Sequence, residues 1–202
     1  MQTDTDFSAI EKIRTLAVKI NEIPDGNPIP EKFAFCAPDG KGHTHEGDNV
    51  SPAISWSDAP DDTKSYTIIL VDKDAPDGFK FANQTDHAIP ADFPRKDFYH
   101  WIVIDIPANV SSLPEGENMD HFLIGQNDFG ARSKGYFGYD GPCPPWNDER
   151  PHHYHFQVYA LDVPSLGLKS SFNGRQASEA MKGHILAMGE VVGTYTTNPK
   201  RA

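Results

Sequence analysis

Tyr136-Phe137-Gly138-Tyr139-Asp140-Gly141-Pro142-Cys143-Pro144-Pro145, followed after a short loop by His152-His153-Tyr154-His155-Phe156-Gln157-Val158-Tyr159-Ala160-Leu161-Asp162, is the stretch that decides the reading of this chain. Its first half is a stiff turn. The prolines fix φ and remove backbone donors, while the glycines allow conformations closed to other residues. Its second half reads as a strand, aromatic and β-branched, with side chains alternating between faces. His152 and Tyr154 then share a face with Phe156, Val158 and Ala160. Two hydrogen-bonding groups open a strand whose remaining residues on that face are apolar, and a polar cluster at the end of an apolar interior is how a small-ligand site begins.

Two further segments repeat the pattern. In Tyr66-Thr67-Ile68-Ile69-Leu70-Val71-Asp72, the face carrying Tyr66, Ile68 and Leu70 ends on Asp72. In His100-Trp101-Ile102-Val103-Ile104-Asp105-Ile106, the face carrying Ile102, Ile104 and Ile106 begins with His100. If the strand ending at Asp72 runs antiparallel to the other two, all three polar groups gather at one end of a shared core. An acid beside two imidazoles raises both histidine pKa values by favouring the charged form, which suits a phosphate or another oxyanion. Asp74 and Tyr154 complete the candidate cluster.

Composition narrows the function. A chain of 202 residues is read as one domain, spanning 1–202, large enough to bury a core without staples. The aromatic fraction of 11%, with 17 Pro and 16 Gly, suits a loop-rich β protein rather than a helical one. A net charge of -11 argues against nucleic acid or anionic membrane surfaces as partners. No apolar run reaches the roughly 20 residues that cross a bilayer. The acidic start Met1-Gln2-Thr3-Asp4-Thr5-Asp6 is unlike a secretory signal, so a cytoplasmic protein is expected. Cys36 and Cys143 cannot form a disulfide framework. Two reduced thiols are the favoured reading, and a single Cys36–Cys143 bridge is the alternative.

Along the chain, Phe7, Ile10, Ile13 and Leu16 have helical spacing, and residues 1–15 read as an extension before the main body. Strands are expected at Leu16–Ile20, Lys32–Cys36, Pro52–Trp56, Ser65–Asp72, Tyr99–Ile106 and His153–Leu161, separated by turn signals as in an antiparallel sandwich. A helix is expected to open at Ser178-Glu179-Ala180-Met181-Lys182, with Met181, Ile185 and Met188 on one stripe, before a last strand at Thr194-Tyr195-Thr196. The fold class is mostly β, an antiparallel sandwich with a few short helices, one of them near the C-terminus. The connection Phe79 to Tyr99 is long enough to be a binding loop. Its Phe79, Phe81, Phe93, Phe98 and Tyr99 either anchor a protein partner or pack the loop onto the sandwich, the second being favoured.

Other chemistries have weaker support. Histidines and a carboxylate can ligate zinc or iron, yet His152 and His153 point to opposite strand faces. His43 and His45, with Glu46 and Asp48, sit in a Gly-rich polar loop and read as a solvated surface. No metal and no cofactor is therefore assigned. Cys143 lacks an adjacent cation or helix N-terminus that would activate a thiol. The leading function is a non-enzymatic binding protein for a small anion, and the alternative is a metal-assisted or histidine acid/base hydrolase at the same pocket.

Asp72-Lys73-Asp74-Ala75-Pro76, His100-Trp101, and Gly141-Pro142-Cys143-Pro144-Pro145 with His152-His153-Tyr154 resemble the phosphatidylethanolamine-binding protein family, closest to its bacterial and archaeal Raf kinase inhibitor-like branch. Asn49-Val50-Ser51-Pro52-Ala53-Ile54-Ser55-Trp56, Asn127-Asp128-Phe129-Gly130 and Gly183-His184-Ile185-Leu186-Ala187 add to the likeness, which spans about 29–195. The resemblance implies a β-sandwich with a C-terminal helix and a pocket for phosphate-type headgroups. That pocket would be built from Asp72, Asp74, His100, Gly141, Pro142, Pro144, Pro145, His152 and Tyr154. It also implies inhibition of a kinase or protease, or a signalling-scaffold role, in some members; separately, a monomer or homodimer is expected for this chain. Three features depart from the pattern: Lys73 where a proline is usual, Trp146-Asn147-Asp148-Glu149-Arg150 where a small Gly-rich turn is common, and the longer Phe79 to Tyr99 connection.

Overall fold

Period-two alternation over three long segments makes them the middle of one sheet. The computed structural model describes residues 13–117, 121–130 and 138–201. In chain order its strands are β1 (Arg14–Thr15), β2 (Ala17–Ile20), β3 (Cys36–Pro38), β4 (Thr44–Glu46), β5 (Ile54–Ser57), β6 (Ser65–Pro76), β7 (Arg95–Pro107), β8 (Ser112–Leu113), β9 (Leu123–Ile124), β10 (His152–Leu161) and β11 (Ile185–Tyr195). One helix, α1 (Gly174–Ala180), precedes β11. The six-stranded sheet runs β1-β11-β10-β6-β7-β9, and β2-β5-β8 form a second sheet. All pairings in the large sheet are antiparallel except β1 with β11.

The sheet buries both faces. Tyr66, Ile68, Leu70, Trp101, Val103, Tyr154, Phe156 and Val158 join the core shared with the small sheet, which adds Ile20, Ile54, Trp56 and Leu113. Ile69, Val71, Ile102, Ile104 and Leu161 form a second core under Phe172, Ala177 and Met181. Residues next to one another in a strand thus serve opposite cores, and the mostly β sandwich follows from that alternation. Of the N-terminal residues at helical spacing, Phe7 and Ile10 lie outside the described residues, while Ile13 and Leu16 flank the short strand β1 rather than sit in a helix.

Three expected elements differ. Lys32–Cys36 begins as a single 3-10 turn (Glu31–Phe33), because Pro30 enters with φ fixed at -57°, and Phe33 and Ala34 bond back to Pro30 and Glu31. The strand there starts only at Cys36. The helix expected from Ser178 onward lies earlier, since Asn173 and Gln176 form a reciprocal capping box that sets its start. Gly183, with φ of +81°, then turns the chain out of it. Ile185 to Tyr195 therefore alternates as a strand, so Ile185 and Met188 are strand residues rather than a helical stripe. Thr194 and Tyr195 are its end, not a separate strand.

Candidate functional site

Strand pairing brings Asp72 directly opposite Tyr154, so the end of β6 and the start of β10 meet with both polar groups on the face of the larger core. His152, two residues before Tyr154, follows by alternation. His100 arrives by another route. Ile102 and Ile104 belong to the second core, so alternation alone would turn His100 away from Asp72. A bulge corrects it: Leu70 pairs with Trp101 but Val71 pairs with Tyr99, leaving His100 as an extra residue. The face assigned from sequence to His100, Ile102, Ile104 and Ile106 is therefore split. A second register shift, between Tyr66 and Ile68, returns Ile106 to the larger core beyond Asp105 at φ +58°.

At the start of β10, charge is paired. His152 is 1% exposed; its Nδ1 donates to Asp72 Oδ2 at 2.7 Å and its Nε2 to Asp148 Oδ2 at 3.1 Å. Donating from both nitrogens makes the ring an imidazolium. Burial opposes that charge, but the Asp72 and Asp148 carboxylates outweigh it and push the pKa up to about 9. Burial likewise works against the Asp148 charge, yet His152 and Arg95 hold its carboxyl below the usual range. Arg95 meets Asp148 with two nitrogens, at 2.5 and 3.0 Å. It spends its other donors on the carbonyls of Asp74, Phe93 and Pro90. Asp74 braces the rim: its N–H bonds Asp72, and its carboxylate takes Arg150 at 2.8 Å and His153 at 2.7 Å. It does not line the cavity.

At the β7 bulge, the opposite holds. His100 Nδ1 lies 2.8 Å from the Asp140 carbonyl and 3.1 Å from that of Gly141, so Nδ1 carries the proton and Nε2 is left as the acceptor of the neutral ring. Burial lowers the His100 pKa, and it outweighs Asp72, the Asp140 carbonyl and carboxylate, and Gly141, which all work the other way. The expectation that both imidazoles are raised holds for His152 alone. The Tyr154 ring packs edge-on to His100 and parallel to His152. Its hydroxyl is buried without a hydrogen-bond partner among the described residues, although the Cys143 amide faces it.

The two imidazoles help floor a cavity of about 110 Å³, which Tyr154, packed behind them, does not line. Asp72, His100 and His152 supply its polar base, and Ala75, Pro76, Phe79, Phe98, Phe129, Pro144 and Pro145 are among its apolar walls. Gly141 and Pro142 sit behind it. A Cβ at Gly141 would lie 1.9 Å from the Phe33 carbonyl, so only glycine lets this loop approach so closely. The Gly141 N–H donates to Asn49 Oδ1 and is not left for a ligand. Asn49 and Asn127 also hold the Asp140 carboxylate. Tyr136 and Phe137 lie outside the described residues.

Cys36 and Cys143 form a disulfide, which corrects the reading of two reduced thiols. The loop is held against β3 in any case, with Phe35 and Cys36 both donating to Pro142. The long connection is shorter than expected, because β6 runs on to Pro76 and β7 starts at Arg95. What remains is stitched to the 146–149 segment. Asn83 donates its N–H to Asn147 Oδ1 and accepts the Trp146 N–H on its own Oδ1, Asn147 donates to the Phe81 and His87 carbonyls, and buried Ile89 bonds Asn147 and Glu149. Phe81 stacks on His87 and packs on Phe93, while Phe79 packs on Phe98, so these aromatics pack the loop. Arg95, Asp148, Asn49, Asn127 and Phe129 were not read from sequence as parts of the site. The Asn127–Gly130 and Asn49–Trp56 motifs were the available signal for three of them.

A family model described as phosphatidylethanolamine-binding protein matches residues 19–196. Among curated relatives, a UPF0098 protein of Aquifex aeolicus is 34% identical over 90% of this chain and 96% of its own length. A UPF0098 protein of Pyrococcus horikoshii is 37% identical over 89% of this chain and 77% of its own. The crystal structure of Escherichia coli YbcL, described as a new member of the mammalian PEBP family, superposes with a TM-score of 0.70 at 30% identity, covering 90% of this chain and 98% of that one. A PEBP homologue from Chlamydia trachomatis superposes at 0.67 with 32% identity, covering 90% and 97%.

Proposed function

This chain belongs to the phosphatidylethanolamine-binding protein family, and from that premise we propose that it is a binding protein whose cavity takes a small acidic ligand of the phosphate-headgroup type. The observation that carries this reading is the cavity floor. Asp72, His100 and His152 converge from three strands on one cavity, with the Tyr154 ring packed behind both imidazoles. The apolar walls suit a short organic group on the acid. Asp74, Gly141 and Pro142 then act as supports, and Pro144 and Pro145 as wall.

Calorimetric titration with inorganic phosphate and with phosphorylethanolamine tests this. The wild-type protein is expected to bind, and His100→Leu, which removes the ring nitrogen facing the cavity, to weaken binding by about fivefold to tenfold. If neither compound binds the wild-type protein, the reading fails. The hydrolase alternative has its own discriminator. Among the described residues no group of three or more His, Cys, Asp and Glu is arranged to hold a metal ion. Stoichiometric zinc or iron in purified protein, lost in His100→Ala, would replace the binding reading with that one. Regulation of a kinase or protease would need an exposed anchor, and the loop aromatics are packed on one another instead. Among the described residues no helix is long and apolar enough to cross a membrane.

A further inference from the structure

The cavity floor contains charge but offers little of it. Asp72, His152, Asp148 and Arg95 form a chain of alternating sign, two negative groups and two positive, each bonded to the next. Both N–H groups of His152 point into carboxylates, and Arg95 is fully engaged. Among the described residues no lysine or arginine lines the cavity. What faces a ligand on the floor is acceptor-rich: the Asp72 carboxylate and the Nε2 lone pair of His100, the latter under Phe98, Phe129 and Tyr154 and near the Asp140 carboxylate, while the uncharged side-chain amide of Asn83 is the donor on the lining. A bare dianion would meet acceptors without a compensating cation, whereas an acid that still carries a proton can donate it to one of them.

We propose that Asp148, by taking the second N–H of His152, makes this cavity a site for acids that keep a proton, so that a protonated phosphate, free or as a monoester with a short organic group, is the class it fits. This rests on the binding reading above and adds selectivity to it. Asp148 belongs to the segment 146–150 and Arg95 closes the long loop, two of the three places where the sequence departs from the family pattern. These departures build the device together: Arg95 holds Asp148, and Asp148 neutralises His152.

Phosphate and sulfate at about pH 8 are the matched probes. Both are then mainly doubly charged tetrahedral anions of nearly equal size, and only phosphate keeps a proton. Wild-type protein is expected to prefer phosphate by about tenfold or more, the scale of one hydrogen bond lost against a buried acceptor. In Asp148→Asn the carboxylate no longer neutralises His152 and Arg95, and sulfate affinity is expected to rise until the preference narrows about tenfold. Equal affinities in the wild-type protein would overturn this inference and leave the binding reading standing. If neither anion binds, both fall. A folded Asp148→Asn with an unchanged preference would remove Asp148 from its role, and should that variant fail to fold, the wild-type comparison decides alone.

Discussion

Two imidazoles sit on one cavity floor, both almost fully buried, and their surroundings drive them in opposite directions. At His152 two carboxylates overcome burial and keep the ring charged, up to about pH 9. At His100 two backbone carbonyls fix one tautomer, and burial keeps the ring neutral. Burial is therefore not what distinguishes them. The difference lies in whether a carboxylate touches the ring: Asp72 and Asp148 bond His152 directly, whereas Asp72 acts on His100 only across the cavity. One corner is an ion-pair network and the other a hydrogen-bonded pivot.

The largest effect should come from breaking the network. His152→Leu leaves Asp72 facing an apolar group while Asp148 keeps Arg95, and a loss of about 3–5 kcal/mol in denaturant unfolding is expected. His100→Leu strands only two carbonyls and should cost about 1–3 kcal/mol. Equal losses would erase the distinction between the corners. Reducing the Cys36–Cys143 disulfide should cost about 2–4 kcal/mol. Because that bridge fastens the loop bearing Asp140 and Gly141, reduction should disturb the His100 resonances and spare those of His152. Disulfides persist where thiols are not kept reduced, which runs against the cytoplasmic expectation. A smaller effect is the pH dependence of stability. The His152 pKa is raised on folding, so its contribution is complete below about 6.5 and is lost as pH rises through about 9. Unfolding measured at pH 7 and 9 should differ by about 2 kcal/mol from this group. Stability that stays flat across that window would mean the ring is neutral.

Much of this was legible in the sequence, and the misses have physical causes. The alternation through Asp72 and through His152 and Tyr154 brought Asp72 and His152 to the cavity floor, with Tyr154 packed behind, and gave the sandwich that holds them. His100 was assigned to the site by a face argument that the bulge at Leu70 and Val71 invalidates. It reaches the cavity because one residue is looped out, and no local periodicity encodes that. The capping box at Asn173 and Gln176 was present in the sequence and would have moved the helix to its place. Arg95 and Asp148 were not legible, because their pairing joins two irregular segments that tertiary packing alone brings together. The disulfide is of the same kind, joining residues 107 apart.

Anion binding should still weaken as pH rises, but over a lower pH window than two raised imidazoles would give. With His152 already committed to its carboxylates, the titrating group that meets a ligand is His100, whose pKa is lowered. Sulfate affinity should therefore be strongest in acid and fall as pH rises below neutrality, rather than at or above it. Calorimetry with sulfate between about pH 5 and 8 measures this, and an onset above about pH 7 would show that His100 is raised instead.

The most direct measurement is a nitrogen-15 NMR titration of the two imidazole rings in the unliganded protein. The account requires His152 to show two protonated nitrogens from acid up to about pH 9. It requires His100 to remain a neutral ring protonated at Nδ1 down to a pH below 6.5. Two rings titrating together near 6.5 would contradict it.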